Sequence, residues 1–258
     1  MAWLKDRLGE AMVDTLLFDL DGTLLDNDLD EFFAVYLPAL SARFAQQIPP
    51  DRFVEQLLAS TRTMITNRDP DKTNRQAFCE DFFPALGWDE AEVMPELQRF
   101  YDTDFAKLKS VTRQKPAARA VMKEAFKRGF RVIIATNPVF PLRAIEHRLE
   151  WAGVGPGEFD YTLVTDYETM HFCKPQVEYY KEIVALLGLN PASCMMVGND
   201  VQEDMVAARI GMKTFLNDEQ LLGEADTAGD SLLHFDHRGS LDDFHKLLVD
   251  NTTDTWAL

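Results

Sequence analysis

The stretch Thr15-Leu16-Leu17-Phe18-Asp19-Leu20-Asp21-Gly22-Thr23 constrains this chain more than any other, because an apolar run stops abruptly at two carboxylates and a glycine. Such a run predicts a strand buried on both faces whose carboxyl end opens into a site. Residues two apart on a strand point the same way. Asp19 and Asp21 therefore face a common point while Leu20 turns aside, and Gly22 lets the chain bend at once. Two converging carboxylates suit a hard cation or nucleophile-plus-acid chemistry. A strand ending in a plain polar turn would read the same way, and Asp-x-Asp-Gly alone does not separate the two.

The rest of the chain supplies the context. Between about Asp28 and Lys109 nothing reads as a strand; the pattern predicts helices over 29–46, 52–66, 74–86 and 90–108. Phe32, Phe33, Tyr36, Leu37 and Leu40 recur at helical spacing, as do Phe53, Leu57, Leu58 and Met64. Turn chemistry at 49–51, 67–71 and 87–89 punctuates these helices. From Pro116 the texture alternates: helix 117–128 stopped by Gly129, strand 131–136, helix 142–151, strand 161–164, helix 176–187, strand 193–197, helix 204–210 and strand 213–216. An edge strand is expected at 231–235, a closing helix at 241–249, and fraying over 250–258. Alternation of this kind implies a parallel sheet covered by helices. The expected fold is α/β: a doubly wound parallel-sheet core of residues 1–26 and 112–258, with an all-helical unit over 27–111 inserted after the first strand.

At 258 residues and 46% apolar composition the chain is long enough for a real core. Its formal charge of −17 argues against a general nucleic-acid or anionic-membrane partner. One basic run opposes that balance: Lys107, Lys109, Arg113, Lys115, Arg119, Lys123, Lys127, Arg128 and Arg131 face the single acid Glu124 and read as a solvated helix face. Cys79, Cys173 and Cys194 lack metal-site or disulfide spacing. Neither a signal-peptide apolar segment nor a run of about eighteen apolar residues is evident, so a cytoplasmic protein without a membrane partner is expected.

Three strand ends carry polar groups: Asp19 and Asp21, Thr136-Asn137, and Gly198-Asn199-Asp200 with Asp204 one turn on. In an open parallel sheet these would converge beyond the carboxyl ends of the strands. The chain is identified as resembling the haloacid dehalogenase superfamily of phosphohydrolases. Asp19-Leu-Asp-Gly-Thr23 matches its first motif, Thr136 closing Val132-Ile-Ile-Ala-Thr its second, Lys174-Pro175 its third, and Gly198-Asn-Asp-Val-Gln-Glu-Asp204 its fourth. The motifs occur in the family's order, and the helical insert resembles its type 1 cap.

The resemblance implies a Rossmann-like core and Mg²⁺-dependent phosphohydrolase activity on a small phosphorylated metabolite. Asp19 would be the nucleophile, giving an aspartyl-phosphate, and Asp21 the acid and base that serves the leaving oxygen and then the water. Thr136 and Lys174 would complete the catalytic set, and Leu20, Thr136, Asn137 and Lys174 the phosphate site. Mg²⁺ would sit on Asp19, Asp21 and Asp200. The family usually has Asp directly after the motif's Gly, where this chain has Asn199, so Asn199 and Asp204 stay open as further ligands.

Specificity is expected from the cap side: the turn from Asn67 to Asn74, Asn27, and the cations Arg62, Arg68, Lys72 and Arg75. Phe32, Phe33, Phe82 and Phe83 read as cap core, and His147 and His171 receive no role. Within the family Asp21 argues against dehalogenation, because a leaving halide needs no proton. A phosphomutase and a catalytically silent phospho-ligand or protein binder are the competing readings.

Overall fold

Strand β1 (Thr15–Phe18) is buried along its whole length. Its alternation decides how the molecule is layered: Leu16 and Phe18 join one apolar cluster and Leu17 the other, as period-two side chains must. The structure is a computed structural model describing residues 12–223 and 235–250. In it β1 lies between β4 (Arg131–Ile134) and β6 (Cys194–Gly198), parallel to both. Among the described residues β5 (Leu163–Val164), β7 (Lys213–Asn217) and β8 (His237–Gly239) complete a six-stranded parallel sheet, in the order β5-β4-β1-β6-β7-β8.

The chain works outward from β1 through β4 to β5 on one side, then returns to β6 and works outward on the other. That reversal places a switch point, where ligands collect, at the carboxyl end of β1. One face is covered by α5 (Pro116–Lys127), α6 (Leu142–Trp151) and α8 (Leu241–Asp250), with Phe18 edge-on to Phe244 at 5.7 Å. The opposite face packs against α7 (Val177–Leu187) and a 3₁₀ segment, Met205–Ile210.

Between β1 and β4 lie α1 (Leu29–Ala42), α2 (Pro50–Thr66), α3 (Asn74–Leu86) and α4 (Glu90–Thr103). Asp28 caps α1 by accepting from the amides of Asp30 and Glu31, and Thr73 with Gln76 forms a capping box on α3. The two chain crossings into this helical unit pair as an antiparallel ribbon, β2 (Leu25–Asn27) with β3 (Thr112–Gln114), a pairing too short to announce itself in the sequence.

Two predicted helices end early. Helix α1 stops at Ala42, four residues short, and the following turn seats Phe44 on Phe53 with ring centroids 5.2 Å apart. Helix α4 stops at Thr103 and gives way to a 3₁₀ segment, Phe105–Val111, which stacks Phe105 on Trp151 at 5.5 Å. In both, burial of an aromatic ring overrides helical periodicity. The predicted strand at 231–235 lies outside the described residues except for Phe235, and the edge strand that the structure describes is β8. Residues 251–258, expected to fray, also lie outside. No helix among the described residues is long and apolar enough to cross a membrane.

Candidate active site

The site is built on the turn that follows β1. The Asp19 amide donates to the Val197 carbonyl on the neighbouring strand at 2.9 Å, which fixes where β1 ends. The Leu20 carbonyl then accepts from the amides of Thr23 (3.3 Å), Leu24 (2.9 Å) and Leu25 (2.9 Å), cinching the chain into a tight turn. Gly22 has φ +80°, and a Cβ there would meet Asn199 Nδ2 at 2.4 Å, so conformation and space both demand glycine. Its carbonyl accepts from Lys115 Nζ at 2.7 Å, which spends one member of the basic run on this turn rather than on solvent.

Lys174 is wholly buried, and its ammonium donates to Asp19 Oδ1 at 2.9 Å and to Asp204 Oδ1 at 2.6 Å. Burial alone would lower the Lys174 pKa, but Asp19 and Asp204 more than reverse it, and the group is held well above its ordinary range. Burial pushes the Asp19 carboxyl up to about 7, with Lys174 pulling it down and Asp204 and Asp21 pushing it further up. Burial likewise raises Asp204 and Glu203. Asp19, Asp21, Asp200, Glu203 and Asp204 gather here against only Lys174 and Arg148 among the described residues, so the cluster is short of positive charge.

Asp19, Asp21, Asn27, Thr136, Asn137, Asn199, Asp200 and Asp204 line one cavity of about 190 Å³ at the switch point. The structure thus brings together residues drawn from three strand ends. Lys174 stands behind Asp19 and Asp204. Leu20 does not line the cavity; its side chain turns into the apolar core. Thr136 is buried and its hydroxyl takes no hydrogen-bond partner among the described residues, while its carbonyl accepts from Thr165 Oγ1 (2.8 Å) and Tyr179 OH (2.9 Å). Asn137 Nδ2 donates to Glu203 Oε2 at 3.1 Å and to the Lys174 carbonyl at 3.4 Å, tying the second, third and fourth motifs together.

The three candidate positions of the fourth motif differ in what they have left to offer. Asn199 Oδ1 accepts from Thr23 Oγ1 at 2.9 Å and its Nδ2 donates to the Gln220 carbonyl at 2.6 Å, so its amide is spent on the turn. Asp204 accepts from Lys174 and, through Oδ2, from the Asp200 amide at 2.9 Å. Asp200 Oδ1 caps the amides of Gln202 (2.7 Å) and Glu203 (2.9 Å), leaving Oδ2 without a hydrogen bond among the described residues. Asp21 has both oxygens engaged, Oδ1 by Asn27 Nδ2 at 2.7 Å and Oδ2 by Arg148 Nη1.

No three His, Cys, Asp or Glu side chains among the described residues are grouped to hold a metal ion by themselves. Mg²⁺ is commonly held by one or two carboxylates with water and phosphate oxygens completing the shell. Asp19 and Asp200 fit that donor set, and the charge-deficient cluster around them suits a cation.

The cap-side expectations divide. Asn27 lines the cavity, and so do Phe32 and Phe33, which also belong to the apolar core as expected. The Asn67–Asn74 turn docks elsewhere on the core: the Asn74 amide donates to the Met170 carbonyl at 2.8 Å, and Gln176 Nε2 to the Asn67 carbonyl at 3.1 Å. Arg68, Lys72 and Arg75 pair with Glu178, Glu80 and Glu90, Arg62 is exposed, and none of the four lines the cavity. His147 packs by Phe105 and Trp151, and His171 pairs with Glu182 at 2.7 Å.

Sequence reasoning missed Glu203, Phe140 and Arg148. The trace of Arg148 was legible: it interrupts the buried stripe Ala144, Ile145, Leu149 of α6, where a charged residue is out of place. A second cavity of about 360 Å³, mostly apolar, lies between the helices of the insert and the core residues Val139, Phe140, Pro141, Arg143, Tyr167 and Glu168; it shares Phe33, Val139 and Phe140 with the first but none of its carboxylates.

A family model described as haloacid dehalogenase-like hydrolase matches residues 13–210. No curated protein matches the chain. Among solved structures, the HAD phosphatase of Thermococcus onnurineus is similar with a TM-score of 0.57 at 18% identity, covering 92% of this chain and 98% of its own. A predicted phosphoglycolate phosphatase from Haemophilus somnus gives 0.55 at 14%, covering 91% and 97%. The L-2-haloacid dehalogenase of Xanthobacter autotrophicus gives 0.51 at 16%, covering 93% and 100%. At these identities the structural likeness speaks for the fold.

Proposed function

Because the chain belongs to the haloacid dehalogenase-like hydrolases, we propose that it is a phosphomonoesterase acting on a small phosphorylated metabolite through an aspartyl-phosphate at Asp19. Residues 1–26 with 112–258 are its core and 27–111 its helical cap. One observation carries the reading: a second carboxylate, Asp21, faces the same cavity as Asp19. An alkoxide leaving group needs a proton and a halide does not, so paired carboxylates favour ester hydrolysis over dehalogenation.

Asp19 attacks phosphorus, the ester oxygen departs with a proton from Asp21, and Asp21 then takes a proton from the water that cleaves the acyl phosphate. For this Asp21 exchanges Asn27 on one oxygen while Arg148 stays on the other. The unpartnered Thr136 hydroxyl holds a phosphoryl oxygen, and Lys174 offsets the charge that builds on the transferring group. Members of this family generally use Mg²⁺; Asp19 and Asp200 would hold it, and it would supply neutralisation of the negative charge in the site. The modest volume of the cavity suits a small substrate.

Release of inorganic phosphate from a panel of phosphorylated metabolites, with and without Mg²⁺, tests the reading against chloride release from 2-chloro acids. Metal-dependent phosphate release is the expected result. Chloride release without phosphate release would assign the site to dehalogenation instead.

A further inference from the structure

We propose that Arg148 recognises a carboxylate on the leaving-group side of the substrate, so that the site prefers phosphate esters of hydroxy acids to esters of neutral alcohols. This deepens the phosphohydrolase reading and rests on it for the position of the leaving group. Arg148 is 3% exposed on α6 and is the one cation among the described residues that line the cavity, where Asp19, Asp21, Asp200, Glu203 and Asp204 are all acidic. Its guanidinium lies 4.6 Å from the centroid of the Phe140 ring. Nε donates to the Ala144 carbonyl at 3.3 Å and Nη1 to Asp21 Oδ2, but Nη2 is buried with no hydrogen-bond partner.

Leaving a buried donor unsatisfied is costly, and a guanidinium is best satisfied when two of its N–H groups meet one carboxylate side-on. Arg148 now presents half of that fork. If its only task were to orient Asp21, a single donor would do, and Asn27 Nδ2 already supplies one at 2.7 Å.

Its place relative to the reaction follows from Asp21. The acid that serves the leaving oxygen must come within hydrogen-bond reach of it, so a guanidinium on the other oxygen of that carboxylate lies within about 8 Å, two hydrogen-bond lengths plus the width of the carboxylate. A carboxylate on the carbon bearing the ester oxygen falls within that radius. The transferring phosphoryl group is served by other residues, Thr136 and Lys174 acting through Asp19.

The test uses the full chain with Asp19→Asn, which prevents turnover, and calorimetric titration in Mg²⁺ buffer with 2-phospholactate and with isopropyl phosphate, in which a methyl replaces the carboxylate. Preference for 2-phospholactate by about tenfold or more is expected, the scale of one charge-assisted hydrogen bond. Adding Arg148→Lys, which keeps the charge and loses the fork, should shrink the preference to within about threefold. Equal affinity for the two esters overturns the inference, and does so even if the Arg148 variant fails to fold. A preference that survives in a folded Arg148→Lys protein, or a weakening equal for both esters, overturns it as well. Failure of the wild-type protein to release phosphate from either ester, with the binding preference intact, would instead sink the phosphohydrolase reading.

Discussion

Lys174 shows how one residue serves fold and chemistry together. Its ammonium is sealed between Asp19 and Asp204, so removing it strands two buried carboxylates without their cation. Lys174→Met should therefore cost about 3–5 kcal/mol of stability, read by urea unfolding. Asp19→Asn behaves oppositely: Lys174 keeps Asp204, one acid is removed from a crowded cluster, and the fold should hold while phosphate release falls to background. Wild-type turnover in that variant would remove Asp19 from the nucleophile's place. The sequence announced Asp19 through an apolar run ending in acid. Lys174 carried no such local announcement, since a lysine before proline by itself reads as surface; only the resemblance of Lys174-Pro175 to the third motif singled it out.

At the scale of elements, β6 and α6 set the two sides of the cavity. A Cβ at Gly198 would sit 2.1 Å from Asp204 Oδ2, so the end of β6 must be bare for that acid to reach Lys174. Helix α6 presents Arg148 to the cavity and His147 to the insert, where Nε2 meets the Tyr101 carbonyl at 3.1 Å. Burial, aided by Arg143, holds His147 below its ordinary 6.5, against an upward pull from Glu150 and Glu146. Folding therefore favours the neutral ring. This contribution is present in full above about 6.5 and is lost as pH falls through the folded-state value. His147→Gln, which keeps a donor without the titration, should show a flatter melting temperature between pH 7 and pH 5 by scanning calorimetry. Parallel curves for the two proteins would exclude His147 as a source of acid sensitivity.

Across the whole molecule, hydrogen bonds and ion pairs tie the helical insert to the sheet domain at several points among the described residues, and Asn74 makes three of these bonds. It is fully buried, and its Nδ2 donates to the carbonyls of Pro138 and Phe172, each at 3.3 Å, while its amide reaches Met170. Pro138 follows Asn137 of the cavity wall, so docking of the insert and placement of the second motif are one arrangement. Asn74→Ala should cost roughly 1–3 kcal/mol by chemical unfolding, because two buried carbonyls lose their donor, and should raise KM more than it lowers kcat. A variant with wild-type stability and KM would show that the insert is positioned by its apolar contacts alone.

The order of helices and strands, the insertion after the first strand, and the acidic and hydroxyl groups at strand ends were determined by the sequence, because each is written in local periodicity or turn chemistry. Only the tertiary structure decided where α1 and α4 stop, that the crossings pair as a ribbon, which fourth-motif side chain keeps an oxygen to offer, and that Arg148 stands beside Asp21. Those outcomes depend on partners far away in the chain: a ring seeking burial, an amide already spent, a guanidinium set against a carboxylate 127 residues distant. Local pattern carries no record of such pairings, and packing alone selects them.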